Sequence, residues 1–397
     1  MRSLKCHKAH SQRQDSSCEV SPLCGGCVHR HLKPTERREQ LIAQCRALLT
    51  EFGHQKVHLE WFGGAHSDGY RTRTVIRPQK LLSRGWRFVF GQNEHFDGVE
   101  IAQCRNHHPS LGRLAQVVCD ALDENVIPYD EDARKYSLRY VILEVDVQNQ
   151  GGDGRVTLCF HGAVPEFSED ICRRILNHSS CIDLIIDALP LRNAGLSRKP
   201  IATEGRELAS LSAGDHRFVV KPPSWFTQSP SSVPALVRAV QRYAQFSGEE
   251  RVIEFGCGVG VLAKHLAQMV DSWMGVDHER HAVESAVANC HEDGQHIRFR
   301  VGDFEQTLRK MVGRVCFDIV LIHAMRKPFG TKTMQILHLL DARMIIYIAP
   351  NSVSLLKDVD ALSHYRLTQL GMVDNAPHTG HWLTVSCLEK GVAPTSA

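Results

Sequence analysis

The sequence predicts an α/β protein: a C-terminal doubly wound, mainly parallel sheet, preceded by a central α+β domain and an N-terminal segment bearing closely spaced cysteines. Three observations lead there. From residue 251 onward, short apolar runs alternate with helical periods, the pattern of a parallel sheet covered by helices on both faces. Between about Val57 and Arg217, β-rich stretches are separated by Gly, Asn and Asp clusters, which reads as a mainly antiparallel sheet. Ahead of both, Cys18, Cys24 and Cys27 form a C-x5-C-x2-C array. The 397 residues suit two or three domains at about 150 residues each. The expected divisions are a tail over 1–17, the cysteine segment with a helix over 18–55, the central domain over 56–217 and the C-terminal domain over 218–397.

Taken in order, residues 1–17 are polar and basic without an apolar period, the character of a flexible tail. Pro34 opens a helix expected to run to about residue 52, because Leu41, Ile42, Cys45, Leu48 and Leu49 recur on one face. In the central region, strands are expected at 74–76, 86–90, 140–145 and 156–160, with helices near 109–125 and 168–178. Arg71, Arg73, Arg77, Arg84 and Arg87 fall on or beside the early strands; they either line a nucleic-acid backbone or form a solvated charged face. The last third reads as strand 251–255, helix 260–270, strand 273–277, helix 279–290, strand 297–301, helix 304–311, strand 317–323, helix 331–339, strand 343–348 and helix 352–361.

With 43% hydrophobic and 23% charged residues and a net charge of +3, the composition is that of a globular protein and neither demands nor excludes nucleic acid. The first eighteen residues contain no apolar core of a signal peptide, and no run is long and apolar enough to span a bilayer. A reducing cytoplasm is therefore the expected home of the 14 cysteines. Cys45, Cys119, Cys159 and Cys172 then read as small buried hydrophobes.

Three closely spaced thiolates with a distant fourth, for which Cys104 is the candidate, suit an iron–sulfur cluster. Zinc competes, although structural zinc usually takes two C-x2-4-C pairs and here only one half is so paired. Gly25 and Gly26 let the backbone fold tightly around a centre, which argues against three idle thiols in a loop.

In the C-terminal region, ligands of such a sheet sit beyond the carboxyl ends of its strands. The Gly256-Cys257-Gly258-Val259-Gly260 loop, Asp277 and Asp303 should share one crevice. Gly258 and Gly260 allow close backbone approach, Asp277 suits paired ribose hydroxyls, and Asp303 suits the exocyclic amine of adenine. Ala263 stands where a dinucleotide fingerprint has its third glycine. S-adenosylmethionine is thus the expected ligand.

These pieces line up in order with the uracil-C5 RNA methyltransferases that carry a 4Fe-4S cluster, which the chain resembles over about residues 18–388. Cys18, Cys24, Cys27 and Cys104 look like that family's cluster ligands, Tyr70-Arg71-Thr72-Arg73 like its YRN[RK] segment, and Pro377-His378-Thr379-Gly380-His381 like its PHTxH. The resemblance implies a class I S-adenosylmethionine-dependent methyltransferase domain, a 4Fe-4S cluster, and RNA as partner, either ribosomal or transfer RNA, handled by a monomer. No further RNA-binding barrel is read before the cysteines, as in the shorter members that act on ribosomal RNA.

Members of that family attack C6 of uracil with a Cys thiolate and remove the C5 proton with a carboxylate. Here Pro350 stands at the nucleophile position and Leu383 at that of the base. The family's D-P-P-R becomes His323-Ala324-Met325-Arg326, keeping Arg326 but losing the acid. Gly256 replaces the aromatic of the glycine loop, and Gln228 matches the glutamine of F-x-Q-x-N while Pro230 replaces its asparagine. His323 and His381 are candidate bases toward a nitrogen or oxygen nucleophile. Two readings follow: a methyltransferase with altered target chemistry, or a catalytically inactive relative acting as an RNA-binding or regulatory protein.

Overall fold

The computed structural model describes residues 18–20, 24–76, 78–81, 85–90, 99–122, 126–128, 137–146, 148, 154–161, 168–177, 181–189, 202–205, 210–324 and 327–391. The tail, Arg77, Arg84 and Arg326 lie outside them. The chain divides into two compact units, one built from residues 1–41, 67–207 and 377–380, the other from 42–66, 208–376 and 381–397. Among the described residues, no helix is long and apolar enough to cross a membrane.

In the first unit, the strands Ala202–Gly205, Cys181–Leu189, Gly154–His161, Ser137–Val145 and Arg73–Ile76 lie side by side in that order. Pairing is antiparallel except between Gly154–His161 and Cys181–Leu189 and at the short Ile127–Pro128, which runs parallel to the start of Ser137–Val145. Leu138, Val141, Leu143, Val156 and Leu158 meet Leu111, Leu114 and Val118 of the helix Pro109–Ala121 in one core, with Ile171 and Ile175 of Ser168–Leu176. The first of these helices stops four residues short of its expected end, because Leu122 at its C-cap turns to an extended ψ of 132°.

The second unit holds an eight-stranded sheet. Its strands are β1 (His58–Gly64), β2 (Arg251–Phe255), β3 (Ser272–Asp277), β4 (Ile297–Val301), β5 (Ile319–His323), β6 (Met344–Ala349), β7 (Tyr365–Asp374) and β8 (Leu383–Lys390). Their spatial order is β1-β7-β8-β6-β5-β2-β3-β4. All neighbours are parallel except that β8 runs against both β6 and β7. The helices are α1 (Val233–Ala244), α2 (Val261–Leu266), α3 (Arg280–Cys290), α4 (Phe304–Met311), α5 (Thr331–His338) and α6 (Ser352–Val359).

Burial on both faces explains why β5 and β6 read as unbroken apolar runs, since residues 319–322 and all six residues of β6 are buried. On one face Val252, Trp273, Leu321, Ile346 and Val385 pack with Val240 and Tyr243 of α1 and Leu262 of α2. On the other, the rings of Phe255, Phe304, Phe329 and Tyr347 follow one another at centroid distances of 4.6, 4.6 and 6.3 Å. The helix expected over 260–270 closes earlier, with a 3-10 turn at Ala267–Met269.

Candidate active site and cysteine pocket

The parallel strands all deliver their carboxyl ends to one edge of the sheet, where ligands of open α/β sheets bind. β2 leads into the glycine loop, whose Gly256, Gly258 and Gly260 adopt φ of 76°, 54° and 84°, conformations that glycine enters without steric cost. A Cβ added to Gly258 would meet nothing within 4 Å, so the loop is open there. At the end of β3, Asp277 accepts the Gly258 N–H through Oδ2 and the Glu279 N–H through Oδ1, both at 2.9 Å. A carboxylate has about four acceptor sites, so capacity remains for ribose hydroxyls. The Gly302 N–H donates to the Asp277 carbonyl at 2.8 Å, bringing the end of β4 alongside. Asp303 is exposed and caps α4 by accepting the Gln306 N–H at 3.1 Å. Gln228 is half-buried, and its segment is tied to this edge by Ser224 Oγ, which donates to Glu279 Oε2 at 2.7 Å.

Farther along the edge stand the positions that resembled the reacting half of the family site. Pro350 is exposed immediately after β6, and Asn351 caps α6 by accepting the Val353 and Ser354 N–H groups at 3.0 and 3.3 Å. Leu383 begins β8 opposite Val373; His381 is exposed. Among the described residues of this unit, no thiol replaces the one missing at 350. Cys257 is buried with its thiol pushed well up by burial and by Glu254 and Asp277, Cys387 is buried within β8, and the exposed Cys316 lies at the amino end of β5, away from this edge.

One constellation was not read from the sequence. His323, ending β5, places Nε2 at 2.9 Å from Glu254 Oε1, and Trp273 Nε1 donates to Glu254 Oε2 at 3.1 Å. The Glu254 side chain is 1% exposed and that of His323 28%. The available signal was an acid inside the apolar run Val252-Ile253-Glu254-Phe255, because a charge on a doubly buried strand needs a partner. Behind the edge, the buried Asp358 of α6 accepts from Tyr347 Oη at 2.5 Å and from the Phe329 and Gly330 N–H groups at 2.9 Å each. That carboxylate anchors the segment between β5 and α5.

In the first unit, Cys18, Cys24, Cys27 and Cys104 line one small cavity together with Val20, Arg30, Arg105 and Asn106. Gly25 at φ 64° makes the turn between the paired cysteines, and a Cβ on Gly26 would crowd Cys24 Sγ at 3.3 Å. Cys104 follows the 3-10 turn Ile101–Gln103. Hydrogen-bond donors converge on the sulfurs: the Gly26 N–H on Cys24, the Asn106 and His107 N–H groups on Cys104, and Asn106 Nδ2 on Cys27 at 3.1 Å. Arg30 fixes Asn106 by donating to its Oδ1 at 2.6 Å and pairs with Asp68 at 2.8 Å. Burial pushes the Cys24 and Cys104 thiols up. The residue types suit a thiolate-ligated cluster: the four cysteines line one cavity, and the N–H groups aimed at Cys24, Cys27 and Cys104 favour the charged form that binds iron. Among the described residues, no three Cys, His, Asp or Glu side chains converge as ligands of a single ion. Pro377–Gly380 belongs to the same unit, its His378 and Thr379 carbonyls held by the His29 N–H at 2.9 Å and by His29 Nδ1 at 3.0 Å.

The sheet order, the single reversed strand and the glycine loop define a class I methyltransferase fold, and residues 252–338 match the methyltransferase-domain family. Over nearly its whole length the chain is similar to proteins named as RNA methyltransferases. An uncharacterized RNA methyltransferase of Bacillus cereus is 24% identical over 386 residues, 95% of this chain and 83% of the relative. Another, of Nostoc, is 25% identical over 385 residues, 92% of this chain and 80% of the relative. Among solved structures, the Pyrococcus abyssi tRNA (uracil-54, C5)-methyltransferase in complex with S-adenosyl-L-homocysteine has the same fold. Its TM-score is 0.69 at 19% identity, covering 92% of this chain and 86% of that one.

Proposed function

We propose that the protein is an S-adenosylmethionine-dependent RNA methyltransferase with a 4Fe-4S cluster on Cys18, Cys24, Cys27 and Cys104, and that its methyl transfer proceeds without a cysteine–uracil adduct. The donor half of the reading rests on the open glycine loop with Asp277 beside it, the constellation that receives a nucleoside at the carboxyl edge of such a sheet. Gly256, Gly258 and Gly260 would face the ligand, Asp277 its ribose and Asp303 its base, with Gln228 nearby. RNA as substrate is supported by the names of the relatives that match along the whole chain. The cluster, when bound, supplies redox or purely structural iron chemistry to the first unit, and the Asn106 amide would steady the Cys27 sulfur.

The observation that carries the departure is Pro350. A proline has no nucleophilic atom, and Leu383 has none that accepts a proton. Covalent C6 attack followed by carboxylate deprotonation therefore has no agents at these positions.

Calorimetric titration with S-adenosylmethionine tests the donor half: saturable one-site binding is expected, and absence of heat up to millimolar ligand leaves only the reading of a binding protein without catalysis. RNA containing 5-fluorouridine tests the departure, because no covalent band is expected, whereas a stable cross-link overturns it. Anaerobically purified protein should contain about four iron and four sulfide per chain; stoichiometric zinc without sulfide rejects the cluster.

A further inference from the structure

We infer that the His323 imidazole, oriented by the buried Glu254 carboxylate, is the proton acceptor of the reaction, and that the methylated atom is a nitrogen or oxygen of RNA that carries its own proton. The inference rests on the methyltransferase reading above and adds to it the acid–base group and the class of nucleophile.

The argument begins with Glu254. Its residue is fully buried on β2, where an uncompensated carboxylate would be costly. It has two hydrogen-bond partners, Trp273 Nε1–H on Oε2 and His323 Nε2 on Oε1. Trp273 only donates. With the carboxylate ionised, a neutral His323 ring must donate through Nε2, and in that tautomer Nδ1 keeps its lone pair. That nitrogen makes no hydrogen bond among the described residues, and it is not among the buried atoms left without a partner, so it is open to solvent.

Position completes the case. β5 ends at His323, so the ring stands at the same edge as the glycine loop, and Gly256 passes close enough that a Cβ there would lie 3.1 Å from His323 Cβ. Any larger residue at 256 would push against the histidine. A neutral imidazole with one nitrogen anchored to a buried carboxylate and the other free is the arrangement by which a base is oriented and its protonated form stabilised. In the step itself, the nucleophile's bond to the methyl carbon forms as the carbon–sulfur bond breaks. The bonding pair stays on sulfur, giving S-adenosylhomocysteine, and the proton displaced from nitrogen or oxygen passes to His323 Nδ1 and on to water. No covalent enzyme intermediate is needed, consistent with Pro350. Glu254 is a positioning residue, acting through His323, which is the group placed to touch the reacting atoms.

The test uses full-length, cluster-loaded protein with tritium-labelled S-adenosylmethionine and bulk RNA from cells lacking the gene. His323→Ala is expected to lower kcat by about 100-fold or more with KM for RNA changed less than about threefold, and added imidazole should restore part of the rate. His323→Gln keeps a donor to Glu254 and so should bind S-adenosylmethionine normally by calorimetry, yet stay as inactive as the alanine variant. Glu254→Gln should lower kcat by about 10-fold, and in nitrogen-15 spectra it should weaken the Nε2–H preference expected of the unaltered protein. Activity of His323→Gln within threefold of the unaltered protein, an Nδ1–H tautomer, or a carbon-methylated pyrimidine as product would each overturn the assignment. If His323→Ala does not fold, the glutamine variant and the spectra decide. Alkaline hydrolysis separates the two nucleophiles, since methylation of a ribose oxygen blocks cleavage and methylation of a base nitrogen does not. Unaltered protein that binds no S-adenosylmethionine defeats the methyltransferase reading itself, whereas methylation that survives His323→Gln defeats this inference alone.

Discussion

The carboxyl edge of the large sheet has two halves of different character. Over β2 to β4, binding is expected from backbone and carboxylates, with Gly258 N–H held by Asp277 and the end of β4 tethered through Gly302. Over β5 and β6, the proposed chemistry would depend on single side-chain atoms, and there Pro350 and His323 stand where the resembled family has a thiolate and an acid. The contrast teaches that a cofactor cradle follows from strand order and loop conformation, while the identity of a reaction hangs on a few side chains that can change without disturbing the fold.

Glu254 lies beneath the boundary between the halves, and its replacement is the most disruptive change expected. Glu254→Ala leaves the buried N–H groups of Trp273 and His323 without an acceptor and opens a cavity. The expected loss is about 3 kcal/mol of unfolding free energy in urea, with Glu254→Gln costing about 1 kcal/mol. A loss below 1 kcal/mol for the alanine variant would show that the pair is not buried as described.

Next in size is an effect on the ligand. Asp277→Ala removes the acceptor for the Gly258 and Glu279 N–H groups and the proposed partner of the ribose, so affinity for S-adenosylmethionine should fall about 100-fold, or about 2.7 kcal/mol. Pro350→Ala, in the other half, should leave that affinity within about threefold. Equal losses from both variants would erase the distinction between a binding half and a reacting half. Smaller again is Asn351→Ala, which removes the N-cap of α6 beside Pro350; a loss of about 1 kcal/mol is expected, with no effect on ligand affinity.

The βα alternation after residue 251 was legible because β5 and β6 are buried on both faces and present nearly continuous apolar runs, with Val252-Ile253 and Phe255 of β2 flanking one buried acid. The strand β1 was not, because His58–Gly64 looks like any other short β segment and joins the sheet only by pairing with β7, whose residues lie some three hundred positions later. The reversal of β8 is equally invisible locally, since alternation of side chains does not encode strand direction. At the candidate site, the glycine loop, Asp277 and the four cysteines announced themselves by residue type and spacing. His323 was a candidate base by its place after the fourth strand of the βα alternation, but its pairing with Glu254 was not legible, because the two are 69 residues apart in sequence and meet only when β2 and β5 become neighbours.

Glu279 offers the finest resolution of the binding half. Burial raises its carboxyl pKa, but hydrogen bonds from Ser224 Oγ and from the His281 and Ala282 N–H groups outweigh that and hold it below the ordinary value of 4.5. A carboxylate whose folded pKa is depressed contributes stability that is present above its unfolded value and lost as the pH falls through the folded one. The urea midpoint of the unaltered protein should therefore decline below about pH 4.5 more steeply than that of Glu279→Gln, while the two curves run parallel near neutrality. Because Ser224 precedes Gln228 by four residues, protonation of Glu279 should also loosen that segment and weaken S-adenosylmethionine binding in the same acid range. Coincident acid curves for the two proteins would mean that the Ser224–Glu279 contact does not hold this segment at the edge of the cradle.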